Sequence, residues 1–382
     1  MVGQEKVNTG IAFSGGGFRA TLFHVGSLWR LNELGWLPKL SRITSVSGGS
    51  ITAGVLAHRW KKLHFPDGCS IADNFREQVA DPLQAFCSHL VDVPAIIKGL
   101  LWPFASAGDF VADSYDRHLF HGATLQDLPA DGEGPRFIFY GTSYQTGVSV
   151  RLTRRYLSDY KLGRLPNPDL PLSKAVAISS AFPPLLAPIM VKTDPRKWQD
   201  PIGTSLQNQD TYRRKMYLTD GGVYDNMGIE AIWKDCETIL VSDAGAPLAT
   251  EPNPWLLKWS YVAGALRVLG ITTEQTRALR KRMLIEKYKT DDDTHRDGSY
   301  WGIATHIDNY KLGDPHFKVM VNDNSITESL KFMRTRLNSF SPAEQGRLIN
   351  WEYALTDAAM RRHVIAEDTP LGTWPIESFP LT

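Results

Sequence analysis

The apolar residues change their period several times along the first part of the chain. Thr9 to Ser14, TGIAFS, is a short apolar run of strand length that ends in Gly15-Gly16-Gly17. From about Arg19 to Leu34 the spacing becomes helical, with Leu22, Val25, Leu28, Leu31 and Leu34 on one stripe, and Gly35 and Pro38 stop the helix. Ile43 to Val46 reads as a second strand. Gly48 to Trp60 reads as a second helix, carrying Ile51, Val55 and Leu56. Strand, helix, strand, helix over so short a distance predicts a parallel sheet with crossover helices. The fold class is therefore α/β: three layers, with a central, mostly parallel sheet flanked by helices.

Phe65 to Pro135 is less regular and predicts a helical insertion at about 65–135. Inside it, VPAIIKGLLWPFA, Val93 to Ala105, gathers Ile96, Ile97, Leu100, Leu101, Trp102 and Phe104 around one charge, Lys98. That run suits either a core helix or a lid whose apolar groups enter a lipid surface. Arg136 to Ser143 and Val148 to Tyr156 predict strands around the turn Gln145-Thr146-Gly147, and Leu172 to Ser180 predicts a helix before the Pro-rich stretch Phe182 to Pro188. Met216 to Thr219 is a short strand ending at Asp220-Gly221-Gly222, and Thr238 to Ser242 is another ending at Asp243. The C-terminal third reads as mostly helical. Ser341-Pro342-Ala343-Glu344 is a capping box with proline at the first helical position, opening a helix to about His363. The chain thus reads as a single domain, 1–382, with a core at about 9–245 and a helical C-terminal region at about 253–382.

Composition narrows the function classes. With 42% hydrophobic and 22% charged residues, the 382-residue chain can bury a full core. A formal net charge of +1 gives no field favouring nucleic acid, so a nucleic-acid polymer is not an expected partner. Cys69, Cys87 and Cys236 are odd in number and widely spaced, which predicts buried or free thiols rather than disulfides or a zinc site. The first residues, MVGQEKVNTG, lack the apolar core of a signal peptide, and no apolar run approaches the roughly 20 residues that span a bilayer. A cytoplasmic protein able to make peripheral membrane contact is expected.

Gly15-Gly16-Gly17 between a strand and a helix presents several backbone N–H groups at a helix N-terminus. A phosphate fits there, and so does the oxyanion of an acyl-transfer intermediate. The dinucleotide reading of Gly15 to Ala20 needs an acid at the end of the second strand, where the sequence has Ser45-Val46-Ser47. A P-loop is excluded because no Gly-Lys-Ser/Thr follows.

The second strand delivers Ser47 to a strand-to-helix turn, the context of a nucleophile elbow, G-x-S-x-G. The positions two before and two after the nucleophile must be small. Gly49 satisfies this, and Ser45 replaces the first glycine with the next-smallest kind of residue. On this steric account a glycine at position 45 preserves activity. Gly48 offers an N–H as an oxyanion donor beside the Gly15–Gly17 loop. The structural alternative for Ser47 is an N-cap serine; Ser14 and Ser50 are better candidates for capping or turn roles.

None of the ten histidines sits in a late strand-end motif; His306 and His316 come nearest, and both read as surface or core residues. A carboxylate can serve as base instead. Asp220, ending a strand before two glycines, is the first candidate, and Asp243 is its rival. No cofactor or metal is expected, because no carboxylate or histidine cluster has ligand spacing.

Together these residues resemble the patatin-like phospholipases, especially bacterial cytosolic members. SGGGFRA is similar to the family's oxyanion motif, with Ala20 for its last glycine, and SVSGG to its nucleophile motif, with Ser45 for its first. LTDGGVYDNMG resembles the D-G-[GA] motif with its following asparagine, Asn226. AISSAFPPLLAPI resembles the segment before that motif, and LINWEYALTDAAMR a C-terminal helix common in bacterial members.

The resemblance implies a patatin-like fold and a Ser–Asp dyad, Ser47 as nucleophile and Asp220 as general base. It implies oxyanion donors from Gly15, Gly16, Gly17 and Gly48, with Arg19, Gly49, Gly221, Gly222 and Asn226 in support. Phospholipid or lysophospholipid at a membrane surface would be the substrate. The alternatives are an esterase or thioesterase for soluble acyl substrates, or a catalytically weak lipid-binding module. Some similar bacterial enzymes are membrane-degrading effectors in phage defence switched on by a nucleotide; a homo-oligomer and a small-molecule activator are partners the resemblance allows, although nothing in these residues marks a nucleotide pocket.

Overall fold

The computed structural model describes residues 8–101, 106–201, 203–252 and 260–382. Its strands are β1 (Thr9–Phe13), β2 (Leu40–Ser45), β3 (Arg136–Ser143), β4 (Ser149–Leu152), β5 (Tyr156–Asp159), β6 (Gly163–Pro166), β7 (Ile189–Lys192), β8 (Lys215–Asp220), β9 (Thr238–Asp243) and β10 (Asp297–Gly302). The main helices are α1 (Gly17–Glu33), α2 (Gly48–Arg59), α3 (Asp81–Cys87), α4 (Asp92–Leu101), α5 (Ala107–Tyr115), α6 (Leu172–Ser180), α7 (Tyr261–Lys289) and α8 (Pro342–His363).

One sheet runs in the order β10-β9-β1-β2-β3-β4-β5-β6, with β8 paired to β3 and β7 to β8. It is parallel from β10 through β3 and antiparallel beyond. The parallel character expected for most of the sheet therefore holds for its β-α-β half, where helices supply the crossovers. The other half is built from hairpins, which need no crossover. The stretch Val148 to Tyr156, expected as one strand, is two. It turns at Thr153, whose N–H donates to the Tyr156 carbonyl at 3.0 Å.

Period-two burial separates the faces of the parallel strands. Ile11 and Phe13 join the large core with α1, α2, α6 and α8. Ala12, Ile239 and Val241 join a smaller core on the other face with Leu284 of α7. Three layers result. The Ser341 capping box at the start of α8 forms as expected. This helix is buried along most of its length against α1, and Arg30 of α1 pairs with the fully buried Asp357 of α8 at 2.6 Å.

The C-terminal region also completes the sheet, because β10 lies parallel to β9. Its sequence, DGSYWG, has no apolar run and lies in the third expected to be mostly helical; it is instead a strand, paired along the edge of β9. Cys69 is free and exposed, and Cys87 and Cys236 are free and buried. Among the described residues no helix is long and apolar enough to cross a membrane.

Candidate active site

The site is assembled at β3. Residues 136–139 of β3 pair with β2, and residues 141–143 pair with β8. Residues 139–142 also pair with β4, which occupies the opposite edge. Hence β2 and β8 share one edge of β3. They run towards each other, because β2 is parallel to β3 and β8 antiparallel. Their C-terminal ends meet, bringing the turn at Ser47 to Asp220. The turn after β1 lies alongside, since β1 pairs in register with β2 up to Phe13 and Ser45.

Ser47 has φ 51° and ψ −124°, a conformation that costs a non-glycine residue about 1–3 kcal/mol. It occupies the N-cap position of α2, yet its side chain makes no capping hydrogen bond, so the capping alternative does not explain it. Its backbone N–H is held by Ser179 of α6, by the carbonyl at 3.0 Å and by Oγ at 3.1 Å. Gly49 is required by close approach: a Cβ there would lie 2.7 Å from the carbonyl oxygens of Phe13 and Ser14. Ser45 is more than a small residue. Its Oγ accepts the Ser50 hydroxyl at 2.9 Å, so the purely steric account of this position is incomplete. Ser50, read from sequence as a capping or turn residue, instead joins Ser45 to Ser179.

The glycine loop is fitted to its surroundings. Gly17 has φ 56°, and a Cβ there would lie 1.9 Å from the Thr335 carbonyl oxygen. Among the described residues, the N–H groups of Gly16, Gly17 and Gly48 enter no turn, loop or cap hydrogen bond. Gly15 differs from the sequence reading: its N–H already donates to the Asn226 carbonyl at 3.0 Å. It therefore ties the loop to the segment after β8 and is no free oxyanion donor. Arg19 also has a structural task. Its buried guanidinium donates to the carbonyls of Ala244 at 2.7 Å, Met333 at 2.8 Å and Lys331 at 3.3 Å. These bonds leave it poorly placed to reach a lipid phosphate.

Asp220 is buried, and burial raises its pKa to about 7 against the opposing effects of the Gly222 N–H and the Ser47 hydroxyl beside it. Gly221 follows it against the Tyr140 carbonyl. Asp243, the rival, has another occupation. Burial would push its pKa up, but the charge of Arg277, with hydrogen bonds from Tyr300 and the Gly245 N–H, holds it below the usual carboxylate value. Arg277 donates to Asp243 Oδ2 at 2.6 Å, and the Tyr300 hydroxyl to the same oxygen at 2.7 Å. A carboxylate so neutralised is a weak base.

A cavity of about 660 Å³ is lined by Gly15, Gly16, Gly17, Arg19, Ser47 and Asp220, and by Gly222 and Asn226 beside them. Gly48, Gly49 and Gly221 are not among its lining residues. The apolar wall comes from Ile96 of α4, Phe182 and Leu185 of the proline loop, and Leu266 of α7. None of the ten histidines lines it. His306 instead faces Asp323 at 3.6 Å and Glu328 at 3.3 Å, three ligand-type groups outside the cavity lining that sequence spacing did not reveal. Sequence reasoning also missed Ser179, whose hydroxyl looks like any helix serine until Ser47 and Ser50 are placed beside it. On α4, Val93, Ile97 and Leu101 form an exposed stripe at i, i+4 and i+8, while Ala95 is buried. Trp102 and Phe104 lie outside the described residues.

A family model described as patatin-like phospholipase matches residues 11–233. The fold is similar to that of human GIVD cytosolic phospholipase A2. The structure with methyl gamma-linolenyl fluorophosphonate inhibitor and terbium chloride gives a TM-score of 0.52 at 13% identity, covering 94% of this chain and 59% of that one. A second structure of the same human protein gives 0.52 at 11% identity, covering 94% and 60%. The chain thus spans about three fifths of the length of these structures. VipD from Legionella pneumophila aligns with a TM-score of 0.39 at 15% identity, covering 96% of this chain and 72% of that one. No curated protein matches.

Proposed function

Because this chain belongs to the patatin-like phospholipase family, a family of lipid hydrolases, we propose that it is a serine acyl hydrolase that cleaves fatty-acyl esters of membrane phospholipids or lysophospholipids through Ser47 and Asp220. The observation that carries this reading is the strained Ser47, at φ 51°, in one cavity with a buried carboxylate and the Gly15–Gly17 loop.

Ser47 Oγ attacks the acyl carbonyl carbon while its proton passes to Asp220. The carbonyl oxygen becomes an oxyanion facing the N–H groups of Gly16, Gly17 and Gly48. Collapse breaks the ester bond, and the departing alcohol oxygen takes the proton from Asp220. A water then gives its proton to Asp220 and attacks the acyl-enzyme. The second collapse returns that proton to Ser47 and releases the fatty acid. A pKa near 7 suits a group that must accept and return a proton at neutral pH. The apolar wall at Ile96, Phe182 and Leu266 is suited to an acyl chain. The stripe Val93, Ile97 and Leu101 is suited to peripheral contact with a bilayer. A role as a membrane-degrading effector in phage defence rests on the resemblance alone and assigns no residue.

Incubating the chain with phospholipid vesicles and following the lipids by mass spectrometry tests the reading. Wild type is expected to release fatty acid and lysophospholipid, and Ser47→Ala to release neither. Equal products from both proteins, or hydrolysis of soluble esters and thioesters only, would overturn it.

A further inference from the structure

We infer that Ser45, Ser50 and Ser179 form a hydroxyl relay that holds the Ser47 backbone in place, making Ser45 a positioning residue of the reaction. The inference rests on the acyl-hydrolase reading of Ser47. Ser179 is where the two halves of the site meet. Its carbonyl accepts the N–H of Ser47 at 3.0 Å and that of Gly221 at 3.4 Å. The next carbonyl but one, Ala181, accepts the N–H of Asp220 at 3.0 Å and the Thr219 hydroxyl at 2.8 Å. The end of α6 therefore fixes the nucleophile turn and the carboxylate loop to one piece of backbone.

The Ser179 hydroxyl is itself held. Its Oγ accepts the Ser47 N–H at 3.1 Å and lies 2.8 Å from Ser50 Oγ, and Ser50 donates onward to Ser45 at 2.9 Å. Since Ser50 spends its proton on Ser45, Ser179 must donate to Ser50. The chain runs one way, from Ser47 N–H through Ser179 and Ser50 to Ser45, and each link polarises the next. Ser45, Ser50 and Ser179 are all fully buried, so no water replaces a missing link. An orphaned hydroxyl there is costly, and relief comes from rotating Ser50 or Ser179 away from the Ser47 turn. A glycine at position 45 removes the terminal acceptor of this chain.

The test uses the full chain, a short soluble ester and a fluorophosphonate that labels the nucleophile. Ser45→Gly, Ser45→Ala and Ser50→Ala are each expected to lower kcat and the labelling rate about tenfold, about 1.4 kcal/mol of barrier, with KM moving less than about twofold. Ser45→Gly combined with Ser50→Ala is expected to lose no more than the worse single variant, since both break one chain. Thermal melts identify any variant that fails to fold, and Ser50→Ala carries the test if Ser45→Gly does not fold. Wild-type rates in Ser45→Gly, or additive losses in the double variant, overturn the relay while leaving the hydrolase reading intact. A wild type that takes no label at Ser47 overturns that reading and the relay with it.

Discussion

The Asp220 carboxylate accepts the Gly222 backbone N–H at 2.6 Å, and with 1% of its surface exposed it has little other solvation. Burial outweighs this bond and the neighbouring Ser47 hydroxyl and raises its pKa to about 7. In the proposed mechanism the base form is the working form, so kcat/KM is expected to climb as pH rises through about 7 and then level. Stability runs the other way. A carboxyl group that holds its proton more tightly when folded contributes stability in full below its unfolded pKa, and loses it as pH rises through the folded value. Asp220→Asn is therefore expected to be inactive yet to melt above wild type at pH 8, with the two converging near pH 4. A pH–rate profile and paired melts check both signs.

Ser47→Ala and Asp220→Asn are each expected to lower kcat by several orders of magnitude, and the double variant to be no worse than either. His306→Ala and His316→Ala should stay close to wild type, since neither side chain lines the cavity. A single histidine substitution that matched the loss in Asp220→Asn would reassign the base.

Asp243→Asn separates the two carboxylates. It breaks a buried pair with Arg277, a change that typically costs about 3–5 kcal/mol. The expected result is a large drop in Tm, with fluorophosphonate labelling of Ser47 retained at low temperature. Labelling lost at unchanged Tm would give Asp243 a chemical role instead.

Ile97→Ser with Leu101→Ser removes two of the most exposed apolar groups of α4, 52% and 77% exposed. Liposome sedimentation is expected to weaken while hydrolysis of a short soluble ester stays nearly intact. If both activities fall together with Tm, the stripe is core rather than lid.

What the sequence conveyed, it conveyed through local pattern. TGIAF before three glycines and the helical stripe after them needed no distant partner to be read, and β1 and α1 form there. Leu172 to Ser180 forms the helix expected, to the residue. The features that escaped depend on neighbours far along the chain. β10 is a strand only because β9 lies beside it. Gly15 loses its free N–H to Asn226, more than two hundred residues away. Ser45 and Ser179 become parts of one network only once α2, which carries Ser50, packs on α6. The strained turn at Ser47 was legible because a strand-to-helix turn with a small residue two places later is a short-range signal.

The burial of α8 against α1 bears on how the protein is made. Ser47 and Asp220 both leave the ribosome well before Pro342 begins that helix. Until α8 emerges, α1 has no cover over the face that carries Gly26, where even a methyl group would meet the Ile349 carbonyl at 2.1 Å. A nascent chain that ends before Pro342 therefore holds Ser47 and Asp220 but lacks the packing of α8 on α1.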